Sequence, residues 1–335
     1  ITANAVTQTA DGRIILKSSG DVATVAGSSI TASGTKAGSI EIDAGGSANI
    51  AGAVEANGDA SAGGTVSLKA IIDTTLASGS RVTANGSSGG NITITAGGTA
   101  SAAGTVEAKG ETGVGGQIAM VGDMTGIFDG ARIDASGATG GGSILAGGDK
   151  QGGFIFSNGE LLPNSRRTFV GRETELRADA ITSGDGGKVI VWADEITRYH
   201  GNISARGGAS GGNGGFVEVS GKGWLDFSGL VTTLAPSGNA GTLLLDPTNI
   251  YIALNQGNAT AAGMSGTDTS ANTGPTPFAA SGAVQDSLLT TGVLNAALGG
   301  SSVVVTTTNA AGTGVGNITV VDPITWASAN SLTLT

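Results

Sequence analysis

One phrase, two small residues followed by alternating aliphatics, recurs at a fixed interval and restricts the fold more than any other feature. It reads Gly-Ser-Ile-Glu-Ile-Asp from Gly38, Gly-Thr-Val-Ser-Leu-Lys from Gly64 and Gly-Asn-Ile-Thr-Ile-Thr from Gly90. Further copies begin at Gly116 and Gly142, so these five stand 26 residues apart. It returns at Gly187, Gly215 and Gly241, spaced 28 and 26, with a last echo from Gly316. A second phrase, aliphatic-x-Ala, precedes most copies, as in Val54-Glu55-Ala56, Val82-Thr83-Ala84, Val106-Glu107-Ala108, Ile133-Asp134-Ala135 and Ile203-Ser204-Ala205. Between them lies a weaker third segment such as Ala48-Asn49-Ile50.

Each unit therefore holds three short alternating segments divided by Gly, Asn, Ser and Asp, and has no room for a helix. Identical strands at a constant interval cannot pair as hairpins without reversing direction inside the unit. They can pair in parallel if the chain coils and each strand stacks on its equivalent one turn earlier. The expected architecture is all-β: a right-handed parallel β-helix with three short strands per coil of about 26 residues. At about 4.8 Å per rung, about 13 coils would give a rod about 60 Å long.

Alternation decides which side chains enter the core. One inward row is Ile40, Val66, Ile92, Ile118, Ile144, Val189, Val217 and Leu243; its companion is Ile42, Leu68, Ile94, Met120, Val191, Val219 and Leu245. The interleaved row of Glu41, Ser67, Thr93, Ala119 and Glu218 is expected to face solvent. β-Branched residues suit a flat pleated stack.

Composition agrees with a repeat protein. The 61 glycines among 335 residues follow no Gly-X-Y period, which excludes collagen, and 39% hydrophobic content argues against disorder. A net charge of −10 disfavours nucleic acid as a partner. No apolar stretch approaches the roughly 20 residues of a membrane-spanning helix. With no cysteine there is no disulfide framework or thiolate metal site. The chain starts at Ile1 with no signal-like segment after it, as expected of a fragment or a processed product.

Two regions break the pattern. The sequence divides into regular coils over 1–250, with an irregular loop at 151–177, and a less regular continuation of the β-helix over 251–335 with an inserted loop and short helix. The polar stretch Asn255 to Ser281 carries Pro275 and Pro277, and residues 287–298 read as one amphipathic helix with Asp286 as N-cap and Gly299 beyond its end.

The segment Gly184 to Gly208 (GDGGKVIVWADEITRYHGNISARGG), with GGNGGFVEVSGK from Gly211 and AGTLLLDPTNI from Ala240, resembles the filamentous haemagglutinin family of two-partner secretion exoproteins. With the flanking repeats the resemblance covers nearly the whole chain. It implies a β-helical filament on the outer surface of, or secreted by, a Gram-negative bacterium, mediating attachment. It also implies an outer-membrane transporter as partner. The Asn-Pro-Asn-Gly and Asn-Pro-Asn-Leu type motifs of the family's export domain are absent here, so this segment is expected to follow that domain rather than dock with the transporter itself. Surface glycans or a polysaccharide matrix are the expected external partners.

No catalytic residue, metal site or cofactor is expected, and the role is structural. His200 is the only histidine and reads as a stacked corner residue. Glu41 and Asp43 could mimic a glycosidase pair but alternate along one exposed strand face. The glycine run 207–215 leads into a strand, not the helix a phosphate loop needs. Asp149 and Asp185 lack the spacing of calcium-binding β-rolls. Asn85, Asn91, Asn202, Asn258 and Asn317 begin Asn-x-Ser/Thr triplets, which in so polar a chain are mostly coincidental. If the segment binds a ligand, the candidates are Phe154, Phe156, Arg166, Arg167 and Arg172, because binding hot spots are rich in aromatics and arginine. The competing expectation folds Phe154 and Phe156 back over the rod, with the arginines paired to Glu160, Glu173 or Glu175. Two other functions fit the same architecture: a carbohydrate-active β-helix enzyme, and the stalk of a contact-delivered toxin.

Overall fold

Pairing of the phrases with their copies one coil away builds the three long sheets of the molecule, while the last echo, Ile318–Val320, pairs instead with Ile250–Ala253. The computed structural model describes residues 5–8, 12–128, 130–157, 159–266, 277–278, 286–307 and 316–335. The first face is a twelve-stranded sheet running from Ala5–Gln8 and Arg13–Ser18, through Ser39–Ala44, Thr65–Ala70 and Asn91–Ala96, to Leu332–Leu334. Its strands pair in parallel except the first, which is antiparallel to the second. The register is the repeat itself: Ile40 lies beside Val66, Val66 beside Ile92, Ile92 beside Ile118. A second face of eight strands runs from Val22–Thr24 to Trp224–Phe227, and a third of eight from Ser29–Thr31 to Leu230–Thr232. The chain is a parallel β-helix of about 11 turns.

Both inward rows are buried, from Ile40 at 1% exposure and Ile42 at 0% to Leu243 and Leu245 at 0%. The aliphatic-x-Ala strands supply the third wall of the same core with Val54, Ala56, Val82, Ala84, Val106 and Ala108. Each fully buried aliphatic contributes on the order of 1.5–3 kcal/mol, and the stack repeats that gain at every coil. Where the first-face strands from Ser39–Ala44 to Thr242–Leu245 begin, a glycine column permits close backbone approach: a Cβ on Gly90 would collide with the carbonyl oxygen of Gly64.

The interleaved row departs from expectation. Glu41 and Ser67 are partly exposed, but Thr93, Ala119 and Glu218 are buried, the last at 0%. A hairpin explains most of the difference. Its arms Ile155–Ser157 and Glu160–Leu162 pair antiparallel and lie over the outer side of the first face. The chain then rejoins the second face at Arg167–Val170 and the third at Glu175–Arg177.

The C-terminal part is corrected in three respects. Ser287–Thr290 is a strand, and the helix α2 spans Thr291–Gly300, capped by the Thr290 hydroxyl accepting from the Val293 N–H at 3.3 Å. Asp286 is therefore no N-cap, and Gly299 lies inside the helix. An unexpected helix α1, Gln256–Ala261, is capped by Asn255, whose side chain accepts from Asn258 N–H. Among the described residues, Gln256–Ala261 and Thr291–Gly300 form helices and Ser287–Thr290 a returning strand, and it is here that the turn count falls short of 13. Of the loop expected over 255–281, residues 267–276 and 279–281 lie outside the described residues.

Ser287–Thr290 pairs in parallel with Ile250–Ala253, which in turn pairs with Ile318–Val320. On its other side it meets the last strand of the second face, where Leu225 N–H donates to Ser287 Oγ at 2.9 Å and Trp224 Nε1 to the Asp286 carbonyl at 3.0 Å. A later segment thus fills a rung below an earlier one. α2 closes the third face, burying Leu294, Ala297 and Leu298, while Thr233 N–H donates to the Gly300 carbonyl at 2.8 Å.

Candidate functional site

Two outer walls of the rod carry large side chains, and both belong to coils within the Gly184–Gly208 motif or next to it. On the first face, Ala119, Val121, Leu145, Ile190 and Trp192 form a cluster outside the main core, sealed by Ile155 at 1% exposure. The Trp192 ring lies against Gly152, where a Cβ would come within 2.9 Å of it, and its Nε1 donates to Asp194 Oδ1 at 2.9 Å. A 3-10 turn, Lys150–Gly152, closes the edge of this cluster.

Glu218 lies beneath that turn. Its carboxylate accepts the Gln151 backbone N–H at 3.2 and 3.0 Å on its two oxygens. Gln151 adopts φ 52°, a left-handed conformation a side-chain-bearing residue seldom takes, and points its N–H at the carboxylate. Burial pushes the Glu218 carboxyl up to about 7, opposed by the Gln151 and Ser220 hydrogen bonds and reinforced by the nearby charge of Asp246.

The far hairpin arm overhangs the first coils. Glu160 meets Lys69 at 3.2 Å, and a groove of about 750 Å³ opens between Glu160, Leu162 and the outward row of Arg13, Lys17, Glu41 and Thr93. Its ions are mutually paired: Arg13 to Glu41 at 2.6 Å and Lys17 to Glu41 at 3.1 Å.

On the second face the outward positions are Phe169, Arg198 and Asp226 in one row and Arg167, Ile196 and Trp224 in the next. Arg198 is 1% exposed, its guanidinium 5.2 Å from the Trp224 ring centre. Phe128 and Phe169 rings lie 5.8 Å apart, and Phe278 meets Phe128 edge-on at 6.4 Å. Arg167 Nη1 donates to the Phe278 carbonyl at 2.7 Å and Arg198 Nη1 to the Pro277 carbonyl at 3.0 Å.

His200 ends this wall, its ring 6.1 Å from that of Phe169. Its Nδ1 is 2.8 Å from Ser228 Oγ and its Nε2 3.2 Å from Asp226 Oδ2. Hydroxyl, imidazole and carboxylate stand in the order of an acyl-transfer triad. That chemistry also needs N–H donors aimed at a developing oxyanion. Here the N–H groups of Ser228 and Gly229 donate to the Tyr199 carbonyl and that of Leu230 to Gly201, so they are committed to the ladder. Among the described residues, no three His, Cys, Asp or Glu gather to hold a metal ion.

The residues singled out in the sequence are divided between these walls. Phe154 is 59% exposed beside the hairpin. Phe156 stands opposite Leu161 in it, and its side chain lies outside the described residues. Arg166 makes a two-pronged pair with Asp123 at 2.6 and 2.7 Å, which lowers the Asp123 carboxyl below its ordinary range, and it also reaches Glu195 at 3.4 Å. Arg167 joins it on Glu195 at 3.0 Å. Arg172 is exposed at a turn between the second and third faces. Glu160 pairs with Lys69 and Glu175 with Arg132, not with these arginines. Sequence reading missed Ile155, Trp192, Arg198 and Glu218. The available signal was size: Ile190, Trp192, Ile196 and Arg198 stand at outward positions where earlier coils place Glu41, Ser67 or Thr75.

No family model and no curated protein matches the chain. Among solved structures it is similar to the HMW1 secretion domain from Haemophilus influenzae, with a TM-score of 0.43 and 22% identity over 72% of this chain and 67% of that one.

Proposed function

We propose that the chain is a structural stalk segment of a large adhesin, secreted or displayed on the outer surface of a Gram-negative bacterium, with an outer-membrane transporter as its export partner. The observation that carries this reading is the ladder of the first face, which runs in register from Arg13–Ser18 to Leu332–Leu334 and makes the chain a rod. The motif over Gly184 to Gly208 supports it through its resemblance to two-partner exoproteins. A rod with one continuous core resists bending and can hold a binding region away from the cell, and it needs no catalytic group of its own.

Direct contact with surface glycans or a polysaccharide matrix would run through the projecting hairpin, where Phe154 is 59% and Leu161 66% exposed, together with exposed Arg172. Arg166 and Arg167 act there as struts, since both are held by carboxylates.

The reading is tested in the source bacterium by deleting the transporter gene and, separately, residues 39–116 in frame, which removes three repeat lengths. Loss of the transporter should keep the protein off the surface, and the shortened rod should reach the surface but attach more weakly. Export without the transporter, or attachment indifferent to both changes, overturns it. Release of reducing ends from a polysaccharide by the isolated chain would favour the carbohydrate-active alternative.

A further inference from the structure

Pro277 and Phe278 are bound as a ligand would be. Two guanidinium groups from neighbouring rungs, Arg167 and Arg198, donate to two successive backbone carbonyls, those of Phe278 and Pro277, at 2.7 and 3.0 Å. The Phe278 ring enters a notch that exists because residue 126 is glycine: a Cβ there would stand 2.8 Å from the Phe128 ring and 3.0 Å from that of Phe278. Phe128 gives the notch an aromatic wall, edge-on to Phe278 at 6.4 Å.

The charges on this wall define what it accepts. Arg167 is neutralised by Glu195 at 3.0 Å, and Arg198 has Asp226 as its neighbour on the next rung. Carboxylates on the same wall, Glu195 paired with Arg167 and Asp226 beside Arg198 in the register, disfavour an added anion, while the guanidinium N–H groups suit neutral acceptors. Two such donors spaced along a strand suit consecutive peptide carbonyls, and the notch suits an aromatic side chain beside them.

We propose that the outer wall of the second face is a recognition site for an extended peptide carrying a Pro-Phe pair, which the chain fills with its own residues 277 and 278. The site lies on the flank of the rod and does not involve the hairpin. Any partner using it, including the same segment of a second copy, must displace the resident one, so the contact in place is autoinhibitory.

The test uses the full chain with Pro277→Gly and Phe278→Gly together, and a fluorescent peptide of residues 271–283 as probe. The doubly substituted chain should bind the peptide saturably and at least tenfold more tightly than the parent, and a peptide with Phe278→Ala should not bind. A folded variant, judged by an unchanged β circular dichroism melt, that binds no better than the parent overturns the proposal. Should that variant fail to fold, Gly126→Ala in the otherwise intact chain decides: filling the notch should speed chymotryptic cleavage after Phe278 several-fold. Unchanged cleavage there overturns the site equally.

Discussion

The carboxylate of Glu218 accepts the backbone N–H of Gln151 on both oxygens, 3.2 and 3.0 Å away, across 67 residues of chain. This contact fastens the start of the hairpin excursion to a coil two rungs further along the first face. Around it stand Asp246, whose charge opposes that of Glu218, Lys150, which lies 4.8 Å from the Phe216 ring centre, and the Asp149–Lys188 pair at 2.8 Å.

The clasp should weaken as pH rises. The folded Glu218 carboxyl titrates at about 7, above its ordinary value of 4.5. Below 4.5 it is neutral in both the closed and the opened forms, so closure is strongest there. Between 4.5 and 7 the exposed form loses its proton first, and burial of Glu218 under the turn is progressively disfavoured as pH rises through 7. Hydrogen exchange at Gln151 and Gly152 should therefore quicken from pH 5 to pH 8 beyond its intrinsic rate, and Glu218→Gln should abolish the excess. Equal excess in parent and variant would refute this assignment.

Ile155→Ala should detach the hairpin without unfolding the rod. Ile155 is 1% exposed and closes the cluster containing Trp192. Truncating it should cost about 2–5 kcal/mol locally. Trp192 emission should shift to the red while the far-ultraviolet β signal and its melting temperature barely change; a matching loss of both would mean that hairpin and coils are one cooperative unit.

Ile92→Asp should do the opposite. Its side chain is wholly buried between Val66 and Ile118, and a carboxylate there would have no partner. A penalty of several kcal/mol is expected, with local opening of the first face. A variant melting like the parent would show that the inward rows are misassigned.

Asp286→Ala should loosen the rung that returns out of order. Its Oδ1 accepts from Asn249 Nδ2 at 3.0 Å and its Oδ2 from both Ser265 N–H and Oγ at 2.7 Å, tying the ends of the excursion together. Leaving these donors unpaired should cost about 1–3 kcal/mol each where they remain buried. Amide protection of Ser287–Thr290 should fall while that of Asn91–Ala96 stays; uniform protection would count against a distinct role for Asp286.

Periodicity determined the repeating body of this protein. A 26-residue recurrence of alternating aliphatics permits parallel stacking and little else, so Ile40, Val66 and Ile92 could be assigned to one buried column from the sequence by itself. The two walls were legible only as an anomaly of size at Trp192 and Arg198, because alternation states which side of a strand a residue occupies and not what covers that side. Covering was decided by tertiary structure: a hairpin on one face, Pro277 and Phe278 on the other. Residues 286–300 show the same limit. Their apolar spacing suits a helix throughout, yet Ser287–Thr290 are drawn into a strand because Trp224–Phe227 and Ile250–Ala253 leave an open rung between them, and only from Thr291 does the local preference prevail. Contacts between distant segments outweigh a propensity of a few tenths of a kcal/mol per residue, and no window of sequence contains those contacts.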